Sequence, residues 1–119
     1  MCLIDQEPPL LVRKAEAFVA WKVFVRAKDG TLYTPTFNTA VAPGRAHEAQ
    51  PLGQYDASYR GWHAYTRRNV ARAARGVPAG EDYTMVVRKV MLWGTVHFGS
   101  EMHPTGRRAA CRATWMRVV

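Results

Sequence analysis

Cysteine is scarce in this chain of 119 residues, which holds only Cys2 and Cys111. Two cysteines near opposite ends allow at most one bridge, which excludes a disulfide-rich secreted scaffold. The start of the chain places acidic residues before basic ones and lacks a long apolar stretch, unlike a signal peptide. No run approaches the length of a membrane span. We therefore expect a cytoplasmic protein with reduced thiols and no membrane contact.

Acidic residues and lysine are also few. Nine Asp and Glu residues stand against seventeen Lys and Arg residues, which gives a formal net charge of +8, and only four of the cations are lysine. A GC-rich coding sequence would also favour arginine over lysine, but it explains the net charge less well. The planar guanidinium fork suits phosphates, carboxylates and aromatic faces. The charge therefore predicts an acidic partner, either an acidic protein surface or nucleic acid.

Recognisable metal-binding and catalytic motifs are missing. The four histidines lack the tight spacing of a zinc motif, and no cysteine pair accompanies them, so we expect no metal and no cofactor. Cys2 would become an N-terminal nucleophile if Met1 were removed. The chain resembles class II glutamine amidotransferases only in these two residues, because Leu3 replaces their usual glycine. A structural thiol is therefore the favoured interpretation of Cys2.

Hydrophobic residues make up 48% of the chain, which is enough for one buried core. Pro8 and Pro9 forbid a regular helix near the start, so residues 1–16 are expected to form an N-terminal arm. Residues 17–119 then make a single domain. Inside it, residues 38–60 show no sustained period, which predicts an irregular segment that hides a short strand or turn. A binding loop would lie in such a segment.

The first half of the domain predicts a hairpin. The run FVAWKVFVRA, from Phe18, alternates in the manner of a strand with one fully buried face and one mixed face. Asp29 and Gly30 supply a turn. The segment TLYTPTF returns as a second strand, which is an edge strand or breaks at Pro35 because proline has no N–H to donate.

The middle of the domain predicts a strand that leads into a helix. Residues 60–65 form the strand, Thr66 is a suitable N-cap, and residues 67–75 are helix-compatible before Gly76. Three small residues share one side of this helix, namely Val70, Ala73 and Ala74. Three arginines share another side, namely Arg68, Arg72 and Arg75.

The last part of the chain predicts two more strands. Residues 83–98 read as a strand that is buried on both faces or bends at Gly94. A loop is expected over residues 99–107, and the segment 107–119 favours a strand over a helix because of its β-branched and aromatic residues. The element order predicts an α+β fold, with a small mixed or antiparallel sheet of about five strands and one short helix packed on it.

Four landmarks recur in order in a family of small phage and prophage proteins. They are Met1-Cys2, the WKVF strand with a following Thr-Pro, the GWHAY strand before a helix, and the VVRKVMLWGTV strand. The corresponding pieces of that family look like MC, YKV, GFHAF and a VV-rich strand followed by glycine. The chain resembles this family over most of its length. The resemblance implies an origin in a mobile genetic element and carries over no activity.

Charged and aromatic side chains supply the candidate binding residues. The residues expected to contact an anion or an acidic partner are Arg60, Arg67, Arg68, Arg72, Arg75, Arg107, Arg108 and Arg112. The rings that would stack on nucleic-acid bases are Trp62, Tyr65 and Trp115. A solvated basic face that only aids solubility is the alternative.

His63 is the one weak candidate for catalysis. It precedes the helix N-terminus, where Thr66, Arg67 and nearby Arg60 would attract an anion such as a nucleotide phosphate. Enzymes of ADP-ribosyl chemistry use a similar mixture of His, Tyr and Arg, but their glutamate motif is not evident. The candidate acids lie in expected loops, namely Glu81, Asp82 and Glu101.

Taken together, the residues favour a non-enzymatic phage-type accessory protein that binds an acidic partner stoichiometrically, such as a counter-defence or host-takeover inhibitor. The alternatives are a direct nucleic-acid-binding domain and a small nucleotide-binding, ADP-ribosyl-type enzyme that uses His63.

Overall fold

The computed structural model describes residues 10–35, 39–49, 61–76, 80–103 and 106–119. Within them the elements are β1 (Leu10–Ala27), β2 (Leu32–Tyr33), β3 (Ala40–Val41), β4 (Ala46–Glu48), β5 (Trp62–Tyr65), α1 (Arg68–Ala73), β6 (Tyr83–His103) and β7 (Gly106–Val118). Every pairing between these strands is antiparallel. The prediction left a mixed and an antiparallel sheet open, and the structure has the antiparallel one with one short helix. The sheet is larger than expected, since seven strands lie within the described ranges alone.

Four strands close on one another. β6 pairs with β1 along one edge and with β7 along the other. β5 pairs with β7 and also meets β1, through Tyr65 opposite Trp21. The order β1–β6–β7–β5 therefore forms a closed ring, with β2 and β3 extending from β1 and β4 lying beside β7. A closed ring gives the sheet an inner face, which forms the main core, and an outer face.

The inner face holds the larger hydrophobic cluster. On β1, Ala20 and Phe24 belong to this cluster, whereas Trp21 and Val23 pack on the other side, as the alternation of a strand requires. Other fully buried members of the inner cluster are Val90, Leu92, Val96, Cys111, Met116 and Val118. Burial of one such side chain contributes about 1.5–3 kcal/mol, so this layer is the main source of stability.

The helix α1 covers one end of the outer face. Ala71 is fully buried there against Val23 and Tyr65. No helix in the described ranges is long and apolar enough to span a membrane. Two details of the predicted helix are wrong. Arg67 is the N-cap in place of Thr66, and Ala73 is exposed because the buried stripe is centred on Ala71.

Several predicted loops contain regular structure. The expected loop over residues 99–107 is wrong, because β6 continues to His103 and β7 begins at Gly106. The sequence pattern did not predict that β6 and β7 form one long hairpin, because the residues near its turn are rich in Gly, Ser and charged side chains. Within residues 38–60, the short strands β3 and β4 occupy part of the segment, and its residues 50–60 lie outside the described ranges. The expected arm overlaps β1 from Leu10, whereas residues 1–9 also lie outside them.

The turn between β1 and β2 and the end of β2 lie at the residues that the sequence indicates. β2 ends at Tyr33, before Pro35, and the turn between β1 and β2 places Gly30 at a φ of 91°. The backbone N–H of Thr31 donates to the Asp29 carboxylate at 2.9 Å. The segment 107–119 is strand, as its β-branched and aromatic residues indicate.

Gly94 marks a bulge in β6. The pairing of β6 with β7 shifts between Trp93 and Val96, and Gly94 has a φ of 93°, in the region that side chains disfavour. A Cβ at this position would lie 3.1 Å from both the Thr114 Cβ and the Trp115 Cδ1. We expect Gly94→Ala to lower the free energy of unfolding by about 2–3 kcal/mol, measured by urea denaturation.

Gly30 provides the matched control for this substitution. Its φ of 91° is nearly the same, but a Cβ there would meet nothing within 4 Å. Gly30→Ala therefore carries only the backbone cost, about 1 kcal/mol. Equal losses in the two variants would show that the close contact with Thr114 and Trp115 does not matter.

Candidate functional site

A polar cluster lies on the outer face where β5, β7 and β6 run side by side. His63 and Tyr65 on β5 share this face, and they are opposite Arg112 and Ala110 of β7. Ala110 is in turn opposite Gly99 of β6. The β6 and β7 members of this row, Gly99 and Ala110, carry no side chain larger than a methyl group. The larger side chains of the neighbouring rows therefore meet above it.

Glu101 of β6 is the centre of this cluster. Its side chain is buried, with the residue 5% exposed, and the hydroxyl of Tyr65 donates a hydrogen bond to its Oε1. The same oxygen lies 3.9 Å from a terminal guanidinium nitrogen of Arg108, and Oε2 lies 3.1 Å from His63 Nε2. A buried carboxylate requires such partners, since losing water without compensation is costly. The cluster therefore holds β5, β6 and β7 together.

The surroundings of His63 lower the pKa of its imidazole and so favour the neutral form. Burial is the largest effect and lowers its pKa, the nearby Lys22 and Arg112 charges lower it further, and the Glu101 carboxylate raises it. The contact between His63 Nε2 and Glu101 Oε2 has the distance of a hydrogen bond but not its angles. The His63 ring also packs edge-on against Tyr65, with centroids 5.0 Å apart. Through these contacts the His63 side chain is packed in the interior of the cluster and links β5 to β6.

The lowered pKa of His63 predicts a loss of stability in mild acid. In the unfolded chain the imidazole takes up a proton near pH 6.5, whereas in the folded chain it does so at a lower pH. The stabilisation is therefore complete above about pH 6.5 and is lost as the pH falls through the folded pKa. We expect the free energy of unfolding to decrease as the pH is lowered from 7.5 to 5.5, and urea denaturation at each pH measures this decrease.

The variant His63→Gln isolates this effect. We expect a smaller decrease of the unfolding free energy over the same pH range. A residual slope is expected from His97, whose pKa is also lowered, mainly by burial and then by the Arg112 charge. Identical slopes for the variant and the unmodified protein would show that His63 does not contribute.

A second buried polar group lies on the inner face. The ammonium group of Lys22 donates to the backbone oxygen of His63 at 2.5 Å, beneath the polar cluster. Cys111 is fully buried close by, and burial raises the pKa of its thiol to about 12. A thiol with such a pKa is almost entirely protonated near neutral pH and is a poor nucleophile. Cys111 is therefore a packing residue, and Cys2 lies outside the described ranges.

The arginines around α1 make a separate, exposed group. Arg67, Arg68, Arg72 and Arg75 all face solvent, and we call these four residues the α1 arginines. None of the carboxylates in the described ranges lies within 4.0 Å of their guanidinium groups. The Arg68 guanidinium lies 5.4 Å from the centre of the Trp21 ring, on the outer face of β1. Their charge is directed toward solvent.

The other predicted arginines do not join this group. Arg112 is 6% exposed and donates to His97 Nδ1 at 2.9 Å, so it lies in the buried cluster and not on a binding surface. Arg108 approaches Glu101, and Arg107 donates to the Ser100 hydroxyl at 3.1 Å. Arg60 lies outside the described residues.

Comparisons with known proteins add no assignment. No family model, curated protein or solved structure matches this chain. The chemistry of the site therefore has to be argued from its own residues. Within the described part of the chain, no group of three or more His, Cys, Asp or Glu side chains is arranged to hold a metal ion.

The three predicted stacking rings have different positions. Tyr65 is 4% exposed, so its ring is not available to a nucleic-acid base, which corrects that prediction. Trp62 is half-buried and its indole N–H donates to the His47 carbonyl at 2.9 Å. Trp115 is half-buried and stacks on Trp93, with ring centroids 6.1 Å apart and planes inclined by 6°.

Sequence reasoning missed two contacts, that of Glu101 with His63 and the stacking of Trp93 on Trp115. Glu101 was expected in a loop, but it lies in β6 opposite Arg108. His97 and Glu101 are four residues apart, as are Arg108 and Arg112, and this even spacing places each pair on one face of a strand. The contact between Glu101 and His63, however, depends on a strand pairing that no local pattern predicts.

Proposed function

We propose that this protein acts without catalysis, by stoichiometric binding of an acidic partner through the α1 arginines. The observation that carries the proposal is the exposure of these four arginines within nine residues, without a described carboxylate to neutralise them. A surface of this kind attracts negative charge and accelerates association. The phage-type resemblance supports the further proposal that this binding inhibits or diverts a host component.

The packing of α1 supports a preformed binding surface. Ala71 is fully buried and Val70 and Ala74 pack beside it, so the helix is anchored along one side. The arginines on its other side therefore start from a fixed backbone. Preorganisation of this kind reduces the entropy lost when a partner binds.

A catalytic role for His63 has less support. The carboxylate next to it belongs to Glu101, which is buried and already accepts a hydrogen bond from Tyr65. A general base must reach the proton of a substrate, and this carboxylate is covered by its neighbours. We therefore assign His63 and Glu101 to the stability of the sheet.

Neutralising the α1 arginines tests the proposal. We expect the triple variant Arg67→Gln, Arg72→Gln and Arg75→Gln to bind polyanions at least about tenfold more weakly, since each lost contact with a phosphate reduces the salt-dependent affinity. Arg68 is retained because it packs over Trp21. The probes are a labelled single-stranded oligonucleotide and a labelled polyglutamate peptide, both measured by fluorescence anisotropy.

A second triple variant controls for net charge. Arg26, Lys28 and Arg45 are also exposed, and changing all three to Gln removes the same charge from other parts of the surface. We expect this control to lose less than about threefold in affinity, since distant exposed charges are screened. Equal losses in the two triple variants would contradict a role for α1.

A further inference from the structure

The outer face continues beyond α1 as a strip of aromatic and apolar side chains. Val19 of β1 is opposite Met91 of β6, and Trp93 of β6 is opposite Trp115 of β7. Trp21 lies two residues from Val19 and therefore shares its face. We call these five residues the aromatic strip. The opposite face of the same strands is the buried core, which contains Ala20, Val90 and Val118.

The aromatic strip is accessible in the described structure. Val19 is 42% exposed, and the other four side chains are half-buried. Trp93 and Trp115 lie parallel to one another, so each ring uses one face in their mutual stack. The helix α1 begins near Trp21, where Arg68 lies over the indole ring. Contiguous apolar side chains that remain accessible on a protein surface are typical of interaction sites.

Cations border the strip along its length. Lys89 is opposite Trp21, and Arg117 is opposite Met91, so both share the face of the strip, and both are exposed. Arg68 adds a third cation at the α1 end. One exposed carboxylate, that of Glu48, lies opposite Trp115. Glu16 is also exposed and lies in β1 between Lys14 and Phe18, whose partners on β6 flank Trp93. The three cations exceed these two acids, and they continue directly into the α1 arginines.

We propose that the aromatic strip binds single-stranded nucleic acid, with bases stacked on Trp93 and Trp115 and phosphates held by Lys89 and Arg117. This inference rests on the proposed function, because the same nucleic-acid strand would continue past Arg68 to the α1 arginines. Stacking favours unpaired bases, whose faces are free. A duplex hides its base faces, and an acidic peptide has no ring faces to offer, so neither uses the tryptophans.

The test compares three probes on the intact protein. They are a labelled mixed-sequence single strand of about 16 nucleotides, the same sequence as a duplex, and labelled polyglutamate. We expect the double variant Trp93→Leu and Trp115→Leu to lose about tenfold or more in affinity for the single strand. Its affinity for the duplex and for polyglutamate should change by less than about threefold, because backbone charge alone holds these probes. Quenching of tryptophan fluorescence should accompany single-strand binding to the unmodified protein.

Two further variants keep the test decisive if the tryptophan variant is unstable. Lys89→Gln with Arg117→Gln alters exposed side chains and should weaken single-strand binding about tenfold while leaving the unfolding free energy nearly unchanged. Tyr83→Leu removes a 48% exposed ring at the other end of β6 and should have no effect on binding. Equal loss for single strand and duplex in the tryptophan variant would overturn the inference.

The outcomes separate the two proposals. If the α1 triple variant weakens polyanion binding and the strip variants do not, the proposed function stands and the aromatic strip has no role in it. If polyglutamate binds as tightly as the single strand, and the tryptophans do not matter, the partner is an acidic protein. If no probe binds even at low salt, of about 50 mM, both proposals are wrong.

Discussion

Replacing Glu101 with alanine is expected to lower the free energy of unfolding by about 3–5 kcal/mol, because the change removes one partner of a buried charged cluster. Tyr65 would lose the acceptor of its hydroxyl, and His63 would lose the carboxylate 3.1 Å from its Nε2. The Glu101 carboxylate is also the negative charge that acts on His63 beside the positive charges of Lys22 and Arg112. Urea denaturation, monitored by tryptophan fluorescence, measures the loss.

Two controls separate the buried charge from other effects of the substitution. Glu101→Gln keeps the shape and one acceptor oxygen, so we expect a smaller loss of about 1–3 kcal/mol. Glu48→Ala removes an exposed carboxylate and should change stability by less than about 0.5 kcal/mol. A cost below about 1 kcal/mol for Glu101→Ala would mean that the cluster does not hold the strands together.

Phe24→Ala is expected to destabilise the protein by a similar amount, about 3–5 kcal/mol. Phe24 is fully buried in the inner cluster and is one of its largest side chains. The Lys22 ammonium group lies 5.7 Å from the centre of its ring, so the substitution also removes an aromatic face from a buried cation. Thermal and urea unfolding both report the change.

Phe24→Leu separates the two contributions to this loss. Leucine retains most of the apolar volume but has no aromatic face, so the remaining destabilisation measures the ring and its contact with Lys22. We expect a loss of about 1–2 kcal/mol. A loss as large as that of Phe24→Ala would indicate that the shape of the ring, and not its volume, determines the packing.

These stability predictions bear on function because the core and the cluster position the outer face. The inner cluster fixes β1, β6 and β7, and the strip residues alternate with core residues along the same strands. A variant that loosens the core should therefore weaken binding only as the folded fraction falls. Binding variants on the surface should leave the unfolding free energy nearly unchanged.

Local patterns of the chain predicted most of the elements but not their extents. The turn at Asp29 and Gly30, the bend at Gly94 and the final strand all follow from short-range chemistry, and the structure contains each of them. The run around Lys22 misled the assignment of faces. Its lysine indicated a mixed face, whereas Lys22 is 6% exposed and shares the inner face with Phe24.

The positions of the predicted binding residues in the structure differ from one to the next. Eight arginines were expected to form the binding surface. Four of them lie exposed on or beside α1, whereas Arg108 and Arg112 approach Glu101 and His97. The residues that flank an arginine in the sequence do not show whether its side chain will be exposed or will lie in a buried cluster. Its environment depends on which strand lies beside it, and such long-range pairing leaves no local signal.

By itself, the sequence determined the charge, the combination of a sheet with one short helix, and the turns, because these depend on composition and on residues close together in the chain. Only the tertiary structure decided that β5 closes the ring, that Glu101 meets His63, and that Trp93 stacks on Trp115. Each of these contacts joins distant segments. Their formation depends on register and on the burial of whole faces, which are properties of the assembled sheet.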